Sequence, residues 1–361
     1  MTPALRPMGA VAALYGDSLE SEAQAVFQRL SDTVFGSHAL APSNFGRQLL
    51  SLLSCRIVKR TTRATQSEGA IVYRNRLIEG SGHPYARALL SSSHDTLQSL
   101  VEGGDPMNGP YMMIVPEIRA QGDRWDRIFF DSLQGRDVQL RFIWETRATT
   151  EEARRRLRAG RPVHLSAVAA GTGLSLILAY ERLLRDGHDP AALSVTITDR
   201  EPANTEKTRR LLAKLPLTRD RVSDSPAPGA VTVLSHDAFA DPAHPIPPSD
   251  VLTAIGIFEY LQGHTCTTSE HRLGEAEQTD PHDAPALAAR LASTLAPDGS
   301  LIVNTYQPHP STGLLETFGK RFDFRTRADL ASLLALSGLQ PVRLIGSGHI
   351  YDVEVYQKKP S

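Results

Sequence analysis

The sequence predicts an α/β protein, with an open and mostly parallel sheet in the C-terminal half and a mostly helical region before it. Three observations point there. From Val163 onward, short apolar runs alternate with amphipathic helical stretches, the pattern of a parallel sheet with crossover helices. The first run turns at once into Ala169-Ala170-Gly171-Thr172-Gly173 and another helix. The last two runs are joined only by Gly346 to Ile350, too short for a crossover helix, so they must form an antiparallel hairpin.

Taken in order, strands are predicted at Val163–Val168, Ser194–Thr198, Val231–Leu234, Asp250–Ala254, Leu301–Thr305, Pro341–Ile345 and Tyr351–Tyr356. Helices fall at Leu174–Arg185, Thr205–Leu215, Ala284–Leu295 and Arg327–Ser337, the third stacking Leu287, Leu291 and Leu295 on one face. Upstream, Ser21–Phe35 and Tyr85–Val101 have helical period, while Cys55–Arg60 and Ala70–Tyr73 read as strands. Glu102–Pro110, rich in Gly and Pro, reads as a loop, followed by the apolar run Tyr111–Val115. A long helix from Asp126 to about Leu157 then ends at Ala159-Gly160-Arg161-Pro162. The organisation expected is a helical substrate or lid region over 1–128, a connecting helical segment over 129–161 and a nucleoside-binding domain over 162–361.

Lys and Arg number 39 against 40 Asp and Glu, a net charge of -1, which leaves no electrostatic footprint for nucleic acid or an anionic membrane. The cluster Arg154-Arg155-Arg156 with Arg158 reads as a solvated helix face. No apolar run approaches the roughly 18 residues of a spanning helix, and Met1–Tyr15 lacks a secretory core, so a cytoplasmic protein is expected. Cys55 and Cys266 fit no metal spacing and read as free thiols, with no metal site expected.

The chemistry concentrates at the carboxyl ends of the predicted strands, where an open α/β sheet takes its ligand. Gly171 and Gly173 let the backbone approach that ligand. A dinucleotide fingerprint needs a small residue three positions after Gly173, and Leu176 stands there, which argues against NAD or FAD. Asp199, in Thr198-Asp199-Arg200-Glu201, can accept both hydroxyls of a ribose. Asp237 can accept the exocyclic amine of adenine, with Ala238 and Phe239 beside the ring. After the fourth strand, Gly256 allows close passage, and Glu259 and Tyr260 face cofactor or acceptor. Asn304-Thr305-Tyr306 and His309 add polar groups at the same edge. His309, Glu259 and His236 are the candidates for a general base, and Tyr260, Tyr306 and Tyr111 for contact with the acceptor.

These residues resemble the class I methyltransferases, whose sheet is Rossmann-like and seven-stranded. More narrowly they resemble the bacterial family associated with biosynthesis of the extracellular factor 3-hydroxypalmitic acid methyl ester. The narrower likeness rests on Phe129-Phe130-Asp131-Ser132, on Gly256-Ile257-Phe258-Glu259-Tyr260-Leu261 and on Asn304-Thr305-Tyr306 with His309-Pro310. It implies S-adenosyl-L-methionine as cofactor, with Ala169, Gly171, Gly173, Asp199, Arg200, Asp237, Ala238 and Gly256 around it. It also implies a small-molecule acceptor methylated on oxygen or nitrogen, and a homodimer is compatible with it. The chain departs from the family pattern at Ala167 and Ala169, where an acidic residue or a tight polar pair, and a leading Gly, are expected. That departure keeps open an alternative: a protein of the same fold that binds a partner without catalysis, or transfers another sulfonium substituent.

Overall fold

The computed structural model describes residues 6–36, 40, 46, 49, 50, 53, 108–122, 124–238, 246–261, 284–309 and 322–360. The strands expected at Cys55–Arg60 and Ala70–Tyr73, the helix expected at Tyr85–Val101, both cysteines and Phe239 lie outside the described residues. The chain forms two compact units, one of Met1–Leu140 with Pro308–Arg321 and one of Arg141–Gln307 with Phe322–Ser361.

The described part of the first unit is helical: α1 (Pro7–Tyr15), α2 (Glu20–Phe35), α3 (Asn108–Met112), α4 (Pro116–Gln121) and α5 (Arg124–Phe130), then the start of α6 (Leu133–Arg158). Helix α2 buries Ala23, Val26, Phe27, Leu30 and Val34, the spacing of one helical face. The long helix expected from Asp126 is broken at Asp131 and Ser132. Ser132 Oγ accepts the amide of Gly135 at 3.4 Å, an N-cap that starts α6 afresh, while Asp131 is buried and paired with Arg119. Asn108–Pro110, expected as the end of a loop, instead opens α3, and Asn108 Oδ1 accepts the Tyr15 hydroxyl at 3.1 Å.

The second unit holds an eight-stranded sheet in the order β3-β4-β2-β1-β5-β6-β8-β7. Its strands are β1 (Val163–Ala167), β2 (Leu193–Asp199), β3 (Val222–Ser223), β4 (Val231–Ser235), β5 (Ser249–Ala254), β6 (Leu295–Asn304), β7 (Leu339–Ser347) and β8 (Asp352–Lys358). All pairings from β3 to β6 are parallel, and β8 lies antiparallel between β6 and β7. This is the Rossmann-like sheet with a terminal antiparallel hairpin that the sequence predicts, plus one two-residue edge strand, β3. The crossovers are α7 (Leu174–Arg185), α8 (Pro202–Lys214), α9 (Ala284–Thr294) and α10 (Arg327–Ala335). Helix α8 starts at Pro202, three residues before the expected Thr205, because proline's fixed φ suits a first helical position. Leu252, Leu287, Leu291, Leu301, Leu330 and Leu334 share one buried cluster, and each such side chain contributes about 1.5–3 kcal/mol on burial.

Helix α6 joins α7 and the sheet through polar side chains. Glu145 Oε1 accepts Ser175 Oγ at 2.6 Å, and Glu152 Oε2 accepts Ser300 Oγ at 2.9 Å. The expectation that Arg154–Arg156 form a solvated face fails at Arg156. That residue is 1% exposed and bonds Asp250 at 3.0 Å and Asp298 at 3.2 Å, because the sheet's amino edge presents two carboxylates to the helix end. Asp250 Oδ2 also accepts the His164 amide at 2.9 Å. Arg161 also pairs with Asp298, and that hydrogen bond holds the Asp298 carboxyl down at about 2. Among the described residues no helix is long and apolar enough to cross a membrane.

Candidate functional site at the carboxyl edge of the sheet

Strand β1 lies between β2 and β5, and the chain order builds the sheet outward from it first on one side and then on the other, so its carboxyl end is the crevice of an open α/β fold. The last bonded step of the two central strands is the Val168 amide to Thr253 O, at 2.9 Å. Beyond it the chain turns through Ala169, Gly171 and Gly173 with φ of 50°, 57° and 62°. Gly173 is required there, because a Cβ would stand 2.8 Å from Ile197 Cγ2. Ala169 is the only described non-glycine residue with positive φ, a conformation that costs about 1–2 kcal/mol.

Asp199 ends β2 and is 6% exposed. Its Oδ2 accepts the Gly171 amide at 2.8 Å, and its Oδ1 accepts the Glu201 amide at 2.9 Å and Asn204 Nδ2 at 3.1 Å. The carboxylate thus ties the glycine turn to the start of α8 and keeps acceptor capacity, since two carboxylate oxygens offer about four lone-pair sites. Arg200 projects outward and meets Glu201 at 3.6 Å. One strand further, the His236 amide bonds Asp199 O at 2.9 Å, which sets His236, Asp237 and the buried Ala238 at the tip of β4.

On the other side of β1, the chain leaves β5 through Gly256, with φ of 73°, and enters a single 3-10 turn, Phe258–Tyr260. Asn304, at the end of β6, accepts the Gly256 amide at 2.7 Å. Arg325, buried, grips the turn from beneath by donating to Phe258 O and to Leu261 O, the latter at 2.6 Å. Glu259 is 4% exposed and lies 3.6 Å from Arg141 Nη1 of α6. A Cβ at Gly256 would sit 3.5 Å from that Nη1 and 3.7 Å from Glu259 Oε1, so the ion pair stands directly over the glycine.

At 3.6 Å the Arg141–Glu259 contact is longer than a hydrogen bond, and Glu259 Oε2 accepts none from the described residues. Leaving such a buried atom unmet costs about 1–3 kcal/mol. Burial pushes the Glu259 carboxyl up, opposed chiefly by Arg141. The Arg141 guanidinium also lies 4.5 Å above the Tyr351 ring. Tyr351 in turn meets Tyr306 at 5.3 Å, and Tyr306 packs on Phe322 at 5.0 Å and Phe324 at 5.4 Å. Burial holds the Tyr306 phenol well above its ordinary range. Tyr260 is exposed and touches Phe322 at 5.2 Å.

Ala169, Gly171, Gly173, Asp199, Arg200, His236, Asp237, Ala238, Gly256, Glu259, Tyr260 and Tyr306 all belong to the α/β unit, on the turns and strand ends just described. Tyr111, buried in α3, and His309, whose imidazole burial pushes down to about 4, belong to the first unit. Sequence reasoning missed Arg141, Tyr351 and Phe322. A signal for Arg141 existed, since it interrupts the apolar stretch Leu140, Phe142, Ile143 of a helix whose Phe142 and Ile143 are buried.

No family model matches the chain, and no curated protein matches it. Among solved structures, the CurJ carbon methyltransferase is 12% identical over 99% of this chain and 100% of that one, with a TM-score of 0.49. An O-methyltransferase family 2 protein of Planctomyces limnophilus, in complex with apigenin, is 15% identical over 89% and 98%, with a TM-score of 0.46. The Burkholderia thailandensis 1,6-didemethyltoxoflavin N1-methyltransferase, bound to its substrate and S-adenosylhomocysteine, is 17% identical over 63% and 83%, with a TM-score of 0.36.

Proposed function

We propose that the α/β unit binds S-adenosyl-L-methionine and directs transfer of its methyl group to a small-molecule acceptor in the cytoplasm. The observation that carries this reading is an order. The candidate groups stand on the consecutive tips β4, β2, β1 and β5: Asp237 with Ala238, then Asp199, then Gly171, then Gly256. Three inter-strand steps of about 4.8 Å make a row about 14 Å long. Adenine, ribose, sulfur and amino acid follow one another in the same order along the cofactor. Asp199, with three of about four lone-pair sites taken, keeps one for a ribose hydroxyl, and the glycine turn lets the backbone pass close to the sulfur.

The bound cofactor supplies a methyl group on a sulfonium, already an excellent leaving group. The protein's part is to hold nucleophile and methyl in line and to exclude water, which is an effect of orientation. Of the base candidates in this unit, Glu259 is engaged with Arg141, and His236 stands at the adenine end of the row. An acceptor that arrives nucleophilic, a carboxylate or an unprotonated amine, therefore suits this edge best. The exposed Tyr260 and the aromatic cluster behind it offer a face for such a molecule.

Isothermal titration with S-adenosylmethionine and, separately, S-adenosylhomocysteine tests the reading. Micromolar binding of both, followed by homocysteine-linked screening of carboxylate and amine acceptors, is the expected result. Absence of heat with either ligand at millimolar concentration overturns it.

A further inference from the structure

The usual acid at the end of the first strand is absent, and Ala167 leaves nothing there to receive an ammonium group. One strand away the structure places a buried carboxylate and a buried guanidinium side by side. Ala167 pairs with Thr253, and three residues beyond Thr253 stands Gly256, with Arg141 and Glu259 directly over it. We propose that Arg141 and Glu259 together hold the amino-acid end of the cofactor, Glu259 taking the α-ammonium and Arg141 the α-carboxylate. The inference rests on the cofactor reading above.

Three features fit. An α-amino acid carries its two charges on one carbon, a few ångström apart, and the pair presents opposite charges at a similar separation of 3.6 Å. Glu259 Oε2 is buried and accepts no hydrogen bond from the described residues, so an N–H donor brought to it would meet an acceptor with no bond to give up. The missing side chain at Gly256 keeps the place beside both charged groups clear, since a Cβ there would already touch Nη1 at 3.5 Å and Oε1 at 3.7 Å. A purely structural pair in the same unit looks different: Asp250 has one oxygen on Arg156 and the other on the His164 amide, both at hydrogen-bond distance. Tyr351 holds the Arg141 guanidinium over its ring, 4.5 Å from the centroid.

Calorimetry on the full chain separates the possibilities with three ligands: S-adenosylhomocysteine, its methyl ester, and methylthioadenosine, which lacks the amino acid. The native protein is expected to bind the ester at least tenfold more weakly than S-adenosylhomocysteine, and methylthioadenosine more weakly still. Arg141→Gln and Glu259→Gln are each expected to lose tenfold or more toward S-adenosylhomocysteine and to keep the native affinity for methylthioadenosine. Equal native affinity for all three ligands overturns the inference and leaves the cofactor reading standing. So do variants that bind S-adenosylhomocysteine as the native chain does, or that lose both ligands in parallel. Absence of binding by any of the three overturns both. The native ligand series needs no variant to fold.

Discussion

Helix α6 carries two buried arginines, Arg141 and Arg156, to opposite edges of one sheet. At 1.5 Å of rise per residue they stand about 22 Å apart, roughly the length of a strand. At the amino edge, Arg156 meets Asp250 and Asp298, and both oxygens of Asp250 are engaged. At the carboxyl edge, Arg141 meets Glu259 beyond hydrogen-bond range, and one Glu259 oxygen is unmet by the described residues. The two arginines are similarly buried, but the carboxylates at the amino edge are partly exposed where Glu259 is not, and the bonding differs. A carboxylate with both oxygens engaged, such as Asp250, fastens a helix to a sheet even though Arg156 Nε has no partner among the described residues, whereas a buried carboxylate with acceptor capacity left over is suited to a third party.

The strongest test of that contrast is Arg156→Gln. Arg156 is buried but Asp250 and Asp298 are partly exposed, so chemical denaturation should show a loss of about 1.5–3 kcal/mol, with affinity for S-adenosylhomocysteine unchanged in the folded fraction. A loss below 1 kcal/mol would erase the distinction between the two edges. At the other edge, Asp199→Ala should weaken S-adenosylmethionine binding at least a hundredfold, about 2.7 kcal/mol, because it removes the ribose acceptor and three bonds that shape the glycine turn. Unchanged affinity by calorimetry would refute the nucleoside-site assignment.

Smaller effects sharpen the same contrast. The folded pKa of Asp298 is depressed to about 2 by Arg161 and Arg156, so its contribution to stability is present above pH 4 and is lost as pH falls toward 2. Its side chain is half-exposed, so solvent screening limits the effect to at most about 1 kcal/mol. Asp298→Asn should therefore flatten the acid limb of the stability profile between those values and leave the neutral limb unchanged in slope. Ala169→Gly is expected to have the smallest effect. Relief of about 1–2 kcal/mol of left-handed strain, set against about 0.5–1 kcal/mol of added chain entropy, should raise stability by about 0.5 kcal/mol. A fall in the melting midpoint would show that the Ala169 methyl is held by packing.

The parallel core of the sheet was legible because buried strands are written as short apolar runs, and Leu193–Asp199 and Val231–Ser235 carry that text plainly. Val222–Ser223 was not, because a two-residue edge strand with exposed Val222 leaves no apolar run. Strand β6 begins at Leu295, six residues earlier than expected, since Ala-Pro-Asp-Gly reads as a turn while the structure carries it through a register shift beside Ser249. At the candidate site, the glycine turn and Asp199 announce themselves because backbone geometry at a strand-to-helix junction restricts residue type locally. Arg141, Glu259 and Tyr351 meet only through the folded sheet, and nothing within a short window of sequence ties them together.

The hairpin of β7 and β8 leaves Gly346 without a side chain where the Trp144 indole lies, and any side chain there would overlap the ring. The chain has two tryptophans, and Trp144 sits one helical turn after Arg141 on α6. The protein thus carries its own optical reporter, whose emission registers how closely that stretch of helix rests on the hairpin, with no label attached.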